Sequence, residues 1–363
     1  MKGKNLFATK WGIISVGAII GILAPILQKL GNPGNMGICV ACFERDISGA
    51  IGLHTAGVVQ YMRPEIIGFV LGSLMAAYLF KEYRPRSGSA PIVRFFLGIF
   101  AMIGALIFLG CPWRALLRLS GGDLNAIPGL MGLIFGIWIG TFFLKRGYNL
   151  GRTQTSNPAV GWMLPFMMLG LLLLMIIYPQ IQGAPKSGVL NYSIKGPGNM
   201  HAPLILSLFV GLAIGFLAQR SRFCTMGAFR DLLLFKQMHL FNGIIALVVF
   251  ALITNLIAGQ LKIGFADQPV AHHLHIWNFL GMALAGLAFA LAGGCPGRQL
   301  FLSGEGDGDA AVFVMGMIVG AAFAHNFGLA SSPKGLGVHG IEALIVGFAF
   351  CIFVGFIMSK KSI

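Results

Sequence analysis

The sequence predicts an all-α polytopic membrane protein of about ten spans, built from two inverted repeats of transmembrane helices that carry re-entrant or half helices. Three observations predict it. The 363 residues are 56% hydrophobic and 10% charged, with a mean hydropathy of +0.83, whereas a soluble domain carries about a quarter charged residues. Apolar runs close to the roughly 20 residues that cross a bilayer recur along the whole chain. A cysteine-centred pattern occurs twice, half a protein apart, which marks duplication of a large unit.

The spans follow in order. Runs at 11–30, 63–81, 92–110 and 126–144 make a first group, and a further run covers 159–178. The series recurs at 202–220, 239–261, 276–294 and 310–328, and a last run covers 338–358. Lys2, Lys4 and Lys10 precede the first run as they would in a secretory signal, but no small-x-small cleavage site lies before Gln28 and Lys29, so it is a retained helix. This divides the chain into a first transmembrane repeat (1–150), a connecting helix and loop (151–201), a second repeat (202–330) and a C-terminal helix (331–363). With four spans in the first repeat and one connecting helix, the second repeat enters the bilayer from the opposite side. Inverted helical repeats with broken segments in matching places put substrate sites near the midplane of many transporters.

The duplication is in frame. Cys39, Arg45 and Asp46 align on Cys224, Arg230 and Asp231 at an offset of 185, and Gly110 to Asp123 aligns on Gly294 to Asp307 at 184, placing Cys111 on Cys295. Segments 37–54 and 222–236 are apolar but too short to span, and each holds an Arg-Asp pair. Irregular backbone at membrane depth is tolerated only inside protein or against a wet cavity, so these segments are expected to line the interior. In the second motif Pro112 and Pro296 follow the cysteines. Proline suits the first position of a helix, which makes Cys111 and Cys295 N-cap candidates beside free N–H groups and the positive helix end. Arg114 and Arg298 add positive charge within a turn. The expected guest is a small anion with a soft atom, because a thiol contacts sulfur or selenium without the hydration demand of a hydroxyl.

Cysteines have duller uses. Cys351 matches no motif and is expected to be an apolar filler. Cys42 aligns on Gly227 and makes a C-x-x-C spacing with Cys39. A zinc site would need a second such pair or a histidine, so no metal and no cofactor is expected, while a redox-active disulfide stays open. Arg45, Asp46, Arg230 and Asp231 support the pathway, either as intramembrane functional groups or as buried pairs that hold half helices in register. Asp123 and Asp307 are expected to cap the helices that follow. His272, His273 and His275 are expected in a short interfacial loop, and His325 and Asn326 at a helix end as capping or pore-facing groups. Pro-Gly-Asn-Met at 33–36 and 197–200 does not fit the repeat offset and is turn chemistry.

The net charge of +15 does not call for nucleic acid. Starting inside, ten spans put Lys2, Lys4, Lys10, Lys81, Arg84, Arg86, Arg94, Lys145, Arg146, Arg152, Arg220, Arg222, Lys236, Lys360 and Lys361 on the cytoplasmic side, as the positive-inside rule prefers. No GxxxxGK[ST] loop, haem signature or flavin signature is present.

Arg222 to Asp231 and Gly293 to Arg298, with their first-half counterparts, resemble the YeeE/YedE family of sulfur-compound transporters, and the chain is most similar to its selenium-metabolism membrane branch. The resemblance implies a non-enzymatic permease or channel-like importer in a prokaryotic cytoplasmic (inner) membrane. It implies a small selenium- or sulfur-containing anion passed along Cys39, Cys111, Cys224 and Cys295, beside which Cys42, Arg114 and Arg298 are expected on the pathway of this chain, and it leaves room for a small cytoplasmic sulfur- or selenium-carrier protein as partner. The Pro and Arg after the second cysteine of each repeat, and the extra Cys42, depart from the thiosulfate members. Two alternatives stand beside this expectation: a thiosulfate importer, and a membrane thiol oxidoreductase or persulfide carrier in which Cys39 and Cys42 cycle between dithiol and disulfide.

Overall fold

The computed structural model describes residues 6–359; Lys2, Lys4, Lys360 and Lys361 lie outside them. Among the described residues, nine helices are long and apolar enough to cross a membrane and a tenth, α3, is a shorter apolar one: α1 (Lys10–Lys29), α3 (Pro64–Leu79), α4 (Pro91–Phe108), α6 (Ala126–Lys145), α7 (Pro158–Ile177), α8 (Leu204–Ser221), α10 (His239–Ile257), α11 (His275–Ala292), α13 (Gly308–Asn326) and α14 (Gly340–Ile357). Of these α3 is the shortest, at 16 residues. Four short helices complete the order: α2 (Val40–Ala50), α5 (Pro112–Ser120), α9 (Thr225–Phe235) and α12 (Pro296–Gly304). The chain is a polytopic, nearly all-helical membrane protein.

Contacts between helix ends sort the loops onto two faces. Arg94 Nη1 donates to Ala292 O at 2.9 Å, Gln219 Nε2 to Glu82 Oε2 at 2.8 Å and Asn149 N to Met358 O at 3.2 Å, which gathers the start of α4 with the ends of α3, α8, α11 and α14 on the N-terminal face. Lys29 Nζ donates to Ala258 O at 3.0 Å and Asn326 Nδ2 to Leu53 O at 2.9 Å, which gathers the ends of α1, α10 and α13 on the far face. Five crossings, α1, α3, α4, α6 and α7, precede α8, so α8 starts on the face opposite to α1. The second repeat is therefore inverted.

Packing follows the same symmetry. α11 lies along α6 as α4 lies along α13, and α3 lies along α8 as α10 lies along α1. α12 rests on α3 as α5 rests on α10, and α2 rests on α13 as α9 rests on α6. The two remaining helices break the pattern, since α7 packs on α3, α12 and α13 whereas α14 packs on α11, α4 and α6. In lipid, helices gain little from the hydrophobic effect and associate through close backbone approach at small residues. At the crossing of α4 with α11, a β-carbon on Gly104 would stand 2.6 Å from Gly281 O, and one on Gly281 would stand 2.8 Å from Gly104 O. That contact brings the second cysteine motifs, which begin within a turn of the ends of α4 and α11, into the middle of the protein.

Candidate functional site

Each of the four half helices begins at a motif cysteine. Cys39 caps α2, where its Sγ accepts from Cys42 N at 3.4 Å, and Cys224 caps α9, where its Sγ accepts from Gly227 N at 3.2 Å. A thiol thus fills the role usually taken by a Ser, Thr, Asp or Asn oxygen, which leaves a weakly held acceptor at a positive helix end. Cys111 and Cys295 also hold N-cap positions, followed by Pro112 and Pro296, but their sulfurs accept no cap hydrogen bond. They are turned instead toward the other cysteine of the same repeat. Cys39 Sγ lies 3.8 Å from Cys111 Sγ, and Cys224 Sγ lies 3.8 Å from Cys295 Sγ. The structure therefore holds two symmetry-related thiol pairs, each flanked by two helix N-termini.

The arginines after the prolines differ between repeats. Arg114 is wholly buried and is consumed by carbonyls: it donates to Asn35 O, Leu109 O, Pro269 O and Val270 O, with Cys42 Sγ 3.8 Å from its Nη1. It fixes the first-repeat half helices to the loop before α11. Arg298 instead pairs with Glu305 at 3.2 Å and lines a cavity of about 570 Å³ that opens on the N-terminal face. Lys81, Arg84, Arg86, Arg220 and Arg222 also line it, against the carboxylates of Glu82 and Glu305. Six cations over two carboxylates in a concave mouth attract and concentrate anions. Among the thiols of the two pairs, Cys224 is the most accessible, at 7%.

Glu82 belongs to a loop at this mouth. Its partial burial alone would raise its pKa, but hydrogen bonds from Gln219 and Arg220 outweigh that and hold the carboxyl below the usual carboxylate range. On the far face a smaller cavity of about 280 Å³ is lined by Arg45, Leu109, Val270 and His325 among others. Cys42 Sγ lies 3.8 Å from Leu109 O, so this cavity ends near the first thiol pair.

Arg45 and Asp46 form a buried pair at 2.7 Å, and sequence reasoning missed its third member, Arg63, which meets the other oxygen of Asp46 at 2.7 Å. Arg63 also lies over the Phe43 ring at 4.4 Å and donates to Met200 O and Pro197 O. One carboxylate between two arginines locks α2 to the start of α3 and to the second Pro-Gly-Asn-Met turn. Arg230 and Asp231 pair in the same way at 2.8 Å, but are 32% and 19% exposed. Their position in sequence is repeated while their burial is not.

Other expectations are corrected in detail. Asp307 does cap α13, accepting from Ala310 N at 3.0 Å. Asp123 is not the N-cap of α6, which is Asn125: it is fully buried, bound by Arg118 at 2.6 Å, and its Oδ1 accepts from Asn125 N at 3.0 Å just before the helix. His272 is no interfacial loop residue, since it is 1% exposed and its Nε2 lies 2.8 Å from Ile107 O. His325 lies against His54 at the far-face cavity, with ring centroids 4.6 Å apart and the rings tilted by 35°, and Asn326 ties α13 to the Leu53 carbonyl. Cys351 is a buried free thiol on the apolar helix α14. All six cysteines are free thiols.

Residues that the duplicated motif did not single out complete the centre. Trp113 packs against Phe69, Phe223 and Phe301 with ring centroids 5.8, 5.8 and 6.1 Å away. Glu44 is fully buried on α2, and neither carboxyl oxygen has a hydrogen-bond partner among the described residues. Both interrupt the repeat, Trp113 matching Gly297 and Glu44 matching Phe229, and that asymmetry was the available signal.

Residues 220–355, which hold the second thiol pair and its cavity-lining Arg298, match the family described as sulphur transport. The match covers well under half of the 363 residues. Two relatives agree with it. One is the thiosulfate transporter TsuA of Spirochaeta thermophila, 37% identical over 101 residues, which are 27% of this chain and 29% of that protein. The other is the thiosulfate transporter TsuA of Escherichia coli strain K12, 32% identical over 113 residues, 30% of each chain. The alignments thus span less than a third of the length of either relative. The family match falls on the segment that holds Cys224, Cys295 and Arg298, of which Arg298 lines the arginine-rich mouth.

Proposed function

We propose that this chain is a permease for a small sulfur- or selenium-containing anion, which moves between the two thiol pairs. The observation that carries the reading is the second pair: Cys224 and Cys295, 3.8 Å apart at two helix N-termini, behind a cavity whose wall holds six cations. The cations draw the anion in, the free N–H groups donate to its charged oxygens, and the polarizable sulfurs contact its soft atom. Thiol contacts are weak enough to release what they hold, as conduction requires.

The reading places the arginine-rich N-terminal face in the cytoplasm of a prokaryotic cell, by the positive-inside rule. Import then enters from the far face, past Arg45 and Leu109 to Cys39 and Cys111, and leaves through Cys224, Cys295 and the large mouth. The names of the relatives favour thiosulfate as the anion, and the resemblance to the selenium branch favours an inorganic selenium species. The pairing does not single out the Cys39–Cys42 cycle of the oxidoreductase alternative, because Cys111 Sγ lies 3.8 Å from Cys39 Sγ.

The test is uptake of labelled thiosulfate and labelled selenite into proteoliposomes holding the full chain. One of the two should enter, and Cys111→Ser or Cys295→Ser should reduce its entry at least about tenfold, since a hydroxyl keeps the size but not the softness. Undiminished entry in both variants would reject the thiol pathway.

A further inference from the structure

One indole joins the cysteine motifs of the two repeats. Trp113 follows Cys111 by two residues, and its ring packs edge-on against Phe223, the chain neighbour of Cys224. A β-carbon on Gly297, two residues after Cys295, would stand 3.2 Å from the indole Cζ2. The ring therefore touches the starts of both second-repeat half helices while belonging to a first-repeat one. Phe69 and Phe301 close the remaining sides. The side chain is 1% exposed, and its indole N–H is buried with no acceptor among the described residues.

A buried tryptophan ordinarily finds an acceptor, because leaving the N–H unpaired costs the desolvation of a donor. Here the cost persists in the middle of the protein, in a cage of phenylalanines that offers nothing to accept. The natural acceptor is what passes between the pairs. We propose that Trp113 is both the gate and a middle binding site of the pathway: its ring separates the two thiol pairs, and its N–H donates to an oxygen of the anion when the ring turns aside. This rests on the reading of the chain as an anion permease and adds a residue to it. The glycine at the matching position is the counterpart of the gate, since a larger side chain at Gly297 would pin the indole that packs on it.

The proposal has a chemical consequence. An anion with a hydrogen-bond-accepting oxygen at one end and a soft atom at the other engages the indole and a thiol together, whereas a halide engages one at a time. Discrimination for thiosulfate over chloride should therefore depend on Trp113.

The experiment uses the full-length protein in proteoliposomes with labelled thiosulfate, or selenite if that is the anion the wild type takes. Trp113→Phe keeps a ring and loses the donor, and its uptake should fall about tenfold with a well-folded, monodisperse protein. Trp113→Ala removes the ring, and chloride should then leak through. Gly297→Ala keeps the indole and restricts it, and its uptake should fall while thiosulfate still perturbs the tryptophan fluorescence that Trp113→Phe has lost. Trp113→Phe or Gly297→Ala at wild-type rate, with Cys111→Ser inactive, overturns the gate and leaves the thiol pathway standing. Absence of wild-type uptake of both anions overturns the thiol pathway, and the gate with it. Should Trp113→Phe fail to fold, Gly297→Ala decides alone.

Discussion

Cys224 Sγ lies 3.8 Å from Cys295 Sγ, the same separation as Cys39 Sγ from Cys111 Sγ. A disulfide needs about 2.05 Å, so either pair can close with a side-chain movement of under 2 Å, given a two-electron oxidant that takes the two thiol hydrogens. Access separates them. Cys224 is 7% exposed near the large mouth, whereas Cys39 and Cys111 are 0% and 1% exposed. Diamide should therefore link Cys224 to Cys295 first and block transport, with reversal by dithiothreitol. Peptide mass mapping checks the order, and faster linkage of Cys39 to Cys111 would show that the far-face cavity is the wider entrance.

Two acids on α2 make a second contrast. Asp46 is held by Arg45 and Arg63, both at 2.7 Å, while Glu44, two residues earlier and equally buried, has no hydrogen-bond partner among the described residues. Removing one member of a buried ion cluster strands the others, at a cost of about 3–5 kcal/mol. Asp46→Asn should therefore lower the thermal unfolding midpoint in detergent by several degrees or prevent insertion. Glu44→Gln strands no cation and should leave the midpoint unchanged or higher. Equal losses in the two variants would mean that Glu44 has a partner in the membrane.

Cys351 supplies the control for every thiol experiment. It is buried in α14, away from the half helices, and matches nothing in the first repeat. Cys351→Ala should cost about 1 kcal/mol of stability for a small cavity and leave uptake at the wild-type rate. A loss of uptake comparable to that of Cys295→Ser would place α14 on the pathway.

The spans and the half helices were legible because their signals are periodic and local: apolar length for the first, a duplicated cysteine with a following proline or Arg-Asp pair for the second. What the repeat could not reveal is where its two copies diverge in burial. Arg114 and Arg298 share a motif position, yet one is enclosed by the loop before α11 and the other opens onto a cavity, a difference made by residues 155 and more positions away. Arg63 escaped notice because its partner Asp46 already had Arg45 beside it in sequence. His272 read as a loop residue because a polar run before a span usually meets water, whereas this loop folds inward to the Ile107 carbonyl. Trp113 was passed over as one aromatic among many, although Gly297 at the matching place was visible.

The arginine-lined mouth yields the last expectation. Arg298 is paired with Glu305, Arg86 with Glu305 and Asp307, and Arg220 with Glu82, while Lys81, Arg84 and Arg222 hold no carboxylate within salt-bridge distance among the described residues. These three are the cations free to meet an incoming or departing anion. Arg84→Gln with Arg222→Gln should raise the KM for efflux-direction uptake about three- to tenfold at low salt, with kcat little changed. The difference should shrink as ionic strength rises, because charges at an open mouth are screened within about 8 Å at physiological salt. The pH behaviour follows from Glu82. Its folded pKa lies below the ordinary carboxylate value, so its contribution to stability is present above the unfolded pKa of about 4.3 and lost as pH falls through the lower folded value. With the side chain 35% exposed in its pair with Arg220, that contribution is under about 1 kcal/mol. The charge of the mouth is consequently constant near neutrality, and KM should be flat between about pH 6 and pH 8. A KM midpoint inside that window would show that a group other than the cations and carboxylates of this mouth controls entry.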